Sequence, residues 1–190
     1  MSDILPIVLH PHRALRQVAE TVTDVDAAVA STLHTMLETM AQANGIGLAA
    51  PQVDINKRLV VIQPEVEGEP GNRKAKSATP PLLMANPEIV AKSDEMIDSE
   101  EGCLSIPRVF DVIPRHAWVK VAYVDEHGNP REVEGEELLG RCLQHEIDHL
   151  NGVLFIDHLS RLKRDLLAKR YNKILPDFVE DTPYPFTQES

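Results

Sequence analysis

The segment EELLGRCLQHEIDHLNG constrains this chain more tightly than any other. Leu139, Leu143, Ile147 and Leu150 recur at three- and four-residue spacing, which predicts an amphipathic helix that stops near Gly152. His145 and His149 are four residues apart, so their imidazoles leave the same face of that helix. Histidines on a partly buried helix need partners, and a single metal ion can serve both. Glu146 follows His145 directly and lies about 100° further round the helix. From there it does not readily join the same ligand set, but it reaches a water bound to the ion. This HExxH arrangement fits a hydrolytic metal site with the glutamate as general base. The bland alternative is a solvated helix with Glu146 as a surface carboxylate, and the apolar flanks weigh against it.

A site of this kind needs a third protein ligand and an open position for water. Two cysteines are available. Cys142 sits three residues before His145 and can share its face, whereas Cys103 lies far upstream in SEEGCLSIP. Spacing does not choose between them. Both together would close the coordination sphere and make the site structural; one alone would leave water bound. Glu146 tips the balance toward catalysis, because a closed site has no use for a base beside it.

NGIGLAAPQ is the second local feature. Gly45 and Gly47 imply a tight backbone path, but no Lys-Ser or Lys-Thr pair follows, so a phosphate-binding loop is excluded. Gln52 carries a neutral amide that can donate to an oxygen gaining charge. Against that stands the plain reading, in which the glycines cap a helix and Gln52 is exposed.

The chain has 190 residues, enough for one domain with its own core. Its formal net charge of −11 argues against a nucleic-acid scaffold and against anionic membranes. MSDILPIVLH lacks the basic start and the length of a secretory leader, and no apolar run is long enough to span a membrane. Two free thiols in a reducing cytoplasm is the simplest expectation.

Along the chain, ILPIVLHP reads as a strand or extended arm, and DVDAAVASTLHTMLETMAQANG as a helix with Asp24 or Asp26 at its start and Gly45 past its end. KRLVVIQP and PLLMANPEIV read as strands, and AWVKVAYVDEHGNPREVEG as a hairpin turning at HGNP. Residues 64–80 read as an exposed loop, KSDEMIDSEE as irregular, and RVFDVIPR as part of a loop. SRLKRDLLAKRYNKI reads as a helix packed through Leu159, Leu162 and Leu166. Prolines 176, 183 and 185 predict a loosely held tail over 176–190 after a domain of residues 1–175. With strands in the middle and helices at both ends, the fold class is α+β.

Taken together and in this order, GIGLAAPQ, EGCLS and QHEIDHLNG resemble peptide deformylase, over roughly residues 5–175. The resemblance implies a single-domain fold with mixed and antiparallel strands around the metal helix. It implies hydrolytic removal of the formyl group from the N-terminal formylmethionine of nascent polypeptides. By the same resemblance Cys103, His145 and His149 are the ligands and Glu146 the acid/base. Gln52 and the backbone N–H of Leu104 then hold the developing oxyanion. Cys142 becomes a pocket wall beside Gly45, Ile46, Gly47, Leu138 and the face of His145. The implied cofactor is one divalent ion, Fe2+ natively, with Zn2+, Ni2+ or Co2+ able to replace it. The family binds its peptide extended beside a strand, through the backbone.

Some details depart from the commonest pattern. Arg141 stands where an aliphatic residue is usual, Phe110 interrupts a more polar stretch, and residues 64–80 run longer than in compact members. Between Arg161 and Lys173 lie six basic residues and one acidic. The resemblance supports a transient ribosome contact over 160–173; a solvated face is the plainer reading. No DNA or membrane partner is expected. Two other function classes fit the metal constellation: a different metal-dependent amide hydrolase or endopeptidase, and a non-catalytic metal-stabilised module with Cys142 as fourth ligand.

Overall fold

The computed structural model describes residues 4–63, 65–66, 77–78, 80–181 and 185–187. In chain order its elements are β1 (Ile7–Val8), α1 (Ala27–Gln42), β2 (Gly47–Ala49), β3 (Leu59–Ile62), β4 (Glu65–Val66) and β5 (Ser77–Ala78). They continue with β6 (Leu82–Lys92), β7 (Met96–Cys103), β8 (Ile106–His116), β9 (Trp118–Val124), β10 (Pro130–Glu136), α2 (Glu137–Leu150), α3 (Arg161–Asp181) and β11 (Phe186–Thr187).

β3 shows how the core is built. Its four residues are all buried, with no polar face. Leu59 and Val61 pack with Leu33, Met36 and Met40 of α1. Val60 and Ile62 pack with Leu143, Ile147 and Leu150 of α2. Successive strand side chains point to opposite faces, so a strand covered on both sides must be a continuous apolar run. The two helices therefore sandwich an antiparallel sheet of order β10-β9-β6-β3-β2. This α+β arrangement of helices and mixed strands agrees with the expected fold class.

α1 begins where Asp26 accepts a hydrogen bond from the Val29 N–H at 2.9 Å. It ends with Gly45 N–H donating to Met40 O at 2.9 Å and Asn44 N–H to Ala41 O at 3.1 Å. Asn44, not Gly45, takes the left-handed conformation of this closing turn, at φ 56°.

Four expectations need correction or qualification. The stretches KSDEMIDSEE and RVFDVIPR are largely strand: β7 and β8 pair as a hairpin from Met96↔His116 to Cys103↔Ile106. Half the residues of β7, Met96, Ile97, Asp98 and Glu100, are exposed, so its composition mimics a loop. The stripe Leu162–Leu166 does not pack: those residues are exposed by 72% and 59%, and α3 docks through Leu167 and Tyr171 instead. α3 runs through Pro176 to Asp181, past the boundary read at residue 175, and β11 pairs in parallel with β1. The 64–80 stretch lies mostly outside the described residues; within it, β4 and β5 pair antiparallel.

Near the N-terminus, Arg16 forms a two-pronged ion pair with Asp157, whose Oδ2 also accepts from the Leu154 N–H at 2.8 Å. Burial pushes the Asp157 carboxyl up, but the hydrogen bonds from Arg16 and Leu154 outweigh it and the pKa falls below the ordinary value. A depressed carboxyl stabilises the fold above its unfolded pKa of about 3.9, and that stability is lost as pH falls through the folded pKa. Asp157→Asn should therefore cost about 1 kcal/mol at pH 7, the pair being partly exposed. Urea titrations should show the gap between variant and wild type closing below about pH 4.

Candidate metal centre

Cys103 sits at the tip of the β7–β8 hairpin, where Leu104 and Ser105 make a two-residue turn. The hairpin tip is tied down by the His10 N–H, which donates to Ser105 O at 2.8 Å. α2 brings His145 and His149 to the same place. Their Nε2 atoms are 3.2 Å apart, and Cys103 Sγ lies 3.3 Å from His149 Nε2. All three donor atoms fall within 4.8 Å of one another. Two nitrogens and a sulfur at ordinary metal–ligand lengths around a tetrahedral ion are separated by about 3.3–3.5 Å, so the trio fits a divalent cation. Three donors also leave a fourth position for water.

Cys142 stands apart from this group. Its Sγ points to the carbonyl of Ile46 at 3.7 Å, and burial drives its thiol pKa well up. It is a cleft-lining residue, as are Gly45, Ile46, Gly47, Leu138, Arg141 and Leu104.

Glu146 is 4% exposed, and its Oε2 is a buried oxygen with no hydrogen-bond partner. Burial raises its pKa to about 7, against the pull of His145. A carboxyl held there can both take and release a proton near neutrality. Gly47 makes room for it. A Cβ at that position would strike the Glu146 carboxylate and stand 2.7 Å from Cys142 Sγ. A Cβ at Gly45 would likewise come within 2.7 Å of Leu104. The dense glycines of NGIG thus serve close approach, not a phosphate loop.

Gln52 is buried, contrary to its exposed reading. The Ala49 N–H donates to its Oε1 at 2.8 Å, which turns the amide nitrogen inward. That Nε2 stands 3.5 Å from Cys103 Sγ and 3.3 Å from Ser105 Oγ. It offers a donor to whatever oxygen sits beside the Cys103 sulfur.

Sequence reasoning missed the support of the histidines. His145 Nδ1 meets Glu101 Oε2 at 3.0 Å. Glu101 is clamped in turn by Arg115, through Nε at 2.7 Å and Nη2 at 3.0 Å. Arg115 also donates to Asp148 at 2.6 Å. Burial would raise the Glu101 pKa, but His145 and Arg115 hold it at about 2. Burial likewise opposes charge on His145, yet hydrogen bonds with Cys103 and Glu101 raise its pKa well above normal. His149, buried beside it, is pushed well below. The signal for Glu101 was its place two residues before Cys103 in SEEGC. Nothing local marked Arg115.

A family model for polypeptide deformylases matches residues 4–165. A peptide deformylase of Methylocella silvestris is 47% identical over 169 residues, 88% of this chain and 83% of that protein. The crystal structure of peptide deformylase from Ehrlichia chaffeensis has a TM-score of 0.83 at 38% identity, covering 93% of this chain and 99% of that one. The Met-Ala-Ser-bound class I type b peptide deformylase from Acinetobacter baumannii has a TM-score of 0.74 at 34% identity, covering 84% and 100%.

The two cysteines should separate cleanly. Metal analysis of protein dialysed after purification should find about one ion per chain in wild type and in Cys142→Ser. Cys103→Ser, which loses a thiolate donor, should retain little.

Proposed function

The chain belongs to the polypeptide deformylase family, and from that membership we propose which of its residues carry the reaction and how. The activity is metal-dependent hydrolysis of the formyl group from the N-terminal formylmethionine of nascent polypeptides, with release of formate. The observation that carries the residue assignment is the unpartnered oxygen of buried Glu146, in one cleft with Cys103 and His145.

Cys103, His145 and His149 would hold the ion. When bound, a divalent cation polarises the formyl carbonyl and makes the attacking water more acidic. Glu146 Oε2 accepts a proton from that water as its oxygen bonds to the formyl carbon. Charge then gathers on the former carbonyl oxygen, where the Gln52 amide and the Leu104 N–H donate. Each such donor is worth roughly a hundredfold in rate. Glu146 returns its proton to the methionine nitrogen as the C–N bond breaks. Formate and a free amine result. Burial suits Glu146 to both halves of this exchange.

The methionine side chain lies against Ile46, Leu138, Cys142 and the ring of His145, an apolar wall that fits an unbranched thioether. Fe2+ is the ion we assign in the cell; the same donors suit Zn2+, Ni2+ or Co2+. Among the described residues no helix is long and apolar enough to cross a membrane, and a cytoplasmic site of action accords with a nascent-chain substrate. The exposed basic residues of α3, among them Lys169, Arg170 and Lys173, support transient contact with the ribosome.

Wild-type protein purified without oxygen should release formate from formyl-Met-Ala peptide and leave acetyl-Met-Ala intact. Glu146→Ala should keep its metal and lose at least about a hundredfold in kcat; wild-type turnover in that variant would remove Glu146 from the mechanism. Ribosome affinity should fall steeply between 50 and 200 mM salt, roughly as the number of phosphates contacted. Absence of binding at low salt would end the ribosome assignment.

A further inference from the structure

The region matched to the family ends at residue 165, but the cleft does not. Phe178 of α3 and Phe186 of β11 line the same cavity as Glu146 and His145. Their rings meet edge to face with centroids 5.0 Å apart. The Arg108 guanidinium lies over Phe178, 5.3 Å from its centroid. Backbone pairing holds the strand in place: the Ile7 N–H donates to Pro185 O at 3.0 Å and the Leu9 N–H to Thr187 O at 2.9 Å. Phe186 also packs on the cluster that contains Ile7, Leu33 and Met36. Both rings remain only half-buried, so each keeps surface for something in the cleft.

Size points the same way. The cavity measures about 580 Å³. Cavities of roughly 300–1,000 Å³ enclose drug-sized ligands, so this one holds more than a formylated methionine. Resting on the deformylation reading above, we propose that Phe178, Phe186 and Arg108 form a subsite for a side chain downstream of the formylmethionine, and that it favours an aromatic one. An aromatic ring can extend the edge-to-face pair of Phe178 and Phe186 and leave water while doing so. Arg108 steadies Phe178 through its cation–π contact. Recognition is then not confined to the peptide backbone: the last two elements of the chain read sequence.

The test compares kcat/KM for formate release from formyl-Met-Phe-Ala, formyl-Met-Ala-Phe and formyl-Met-Ala-Ala, using the full metal-loaded chain. Wild type should favour the better aromatic peptide over the alanine peptide by about tenfold. Phe186→Ala and Phe178→Ala should bring that ratio toward one, and Phe186→Leu should restore part of it. If the aromatic residues only hold the tail down, each variant lowers all three values by one factor and the ratio stays put. That result overturns the proposal, as does a wild-type ratio near one. Should Phe186→Ala prove unfolded by thermal melt, Phe178→Ala and Phe186→Leu decide the matter. Formate from none of the peptides would instead sink the deformylation reading, and this subsite with it.

Discussion

The buried ion pair between Glu101 and Arg115 joins the parts that the site needs. Glu101 belongs to β7, Arg115 to β8, and through them the hairpin grips His145 and Asp148 of α2. Both partners are nearly inaccessible, at 8% and 4% exposure. Taking two charges out of water is costly, and their mutual attraction offsets that only when geometry and additional hydrogen bonds are good. Here every strong donor of Arg115 faces a carboxylate or His158. The gain shows in position more than in stability. A carboxylate on His145 Nδ1 fixes the ring and leaves Nε2 facing Cys103 and His149, the arrangement that orients histidine toward a metal.

Around that junction the site is assembled from elements far apart in sequence. β2 contributes Gly47, whose missing side chain is the space Glu146 occupies. The short turn after β2 contributes Gln52, aimed by the Ala49 amide. The tip of the β7–β8 hairpin contributes Cys103, and α2 contributes the rest. The sheet makes this possible because α1 covers one face and α2 the other, so α2 is buried against β3 along one side and meets the hairpin along another. A carboxyl held in so dry a place as Glu146 needs no strong partner to bring its pKa to about 7; burial does it.

Legibility from sequence followed physical cause. α1 and α2 bury one stripe each, and their spacing made them plain. β3 is apolar throughout because both its faces are covered, and it too was readable. β7 was not, since half its residues are exposed and MIDSEEGC carries no apolar alternation. In α3 the leucine spacing pointed to the wrong face: Leu162 and Leu166 satisfy the helical period, yet Leu167 and Tyr171 are the residues that β8 and the preceding turn receive. Periodicity states that a face exists; it does not state which neighbour arrives to cover it.

The residues HEIDH, with two histidines a turn apart and a glutamate between them, determined by themselves that this chain presents a metal-type donor pair with a carboxylate at hand. That much is helix geometry, and local spacing is enough to specify it. Which of two cysteines stands beside the imidazoles was undecidable at that level, since Cys142 is near in sequence and Cys103 is distant. Tertiary structure put Cys103 there and turned Cys142 into the cleft, added Glu101 and Arg115 behind the histidines, and carried Phe178 and Phe186 round to the same cavity. Those are long-range contacts, made when separate elements pack, and no local pattern encodes the meeting of side chains that only the folded chain brings together.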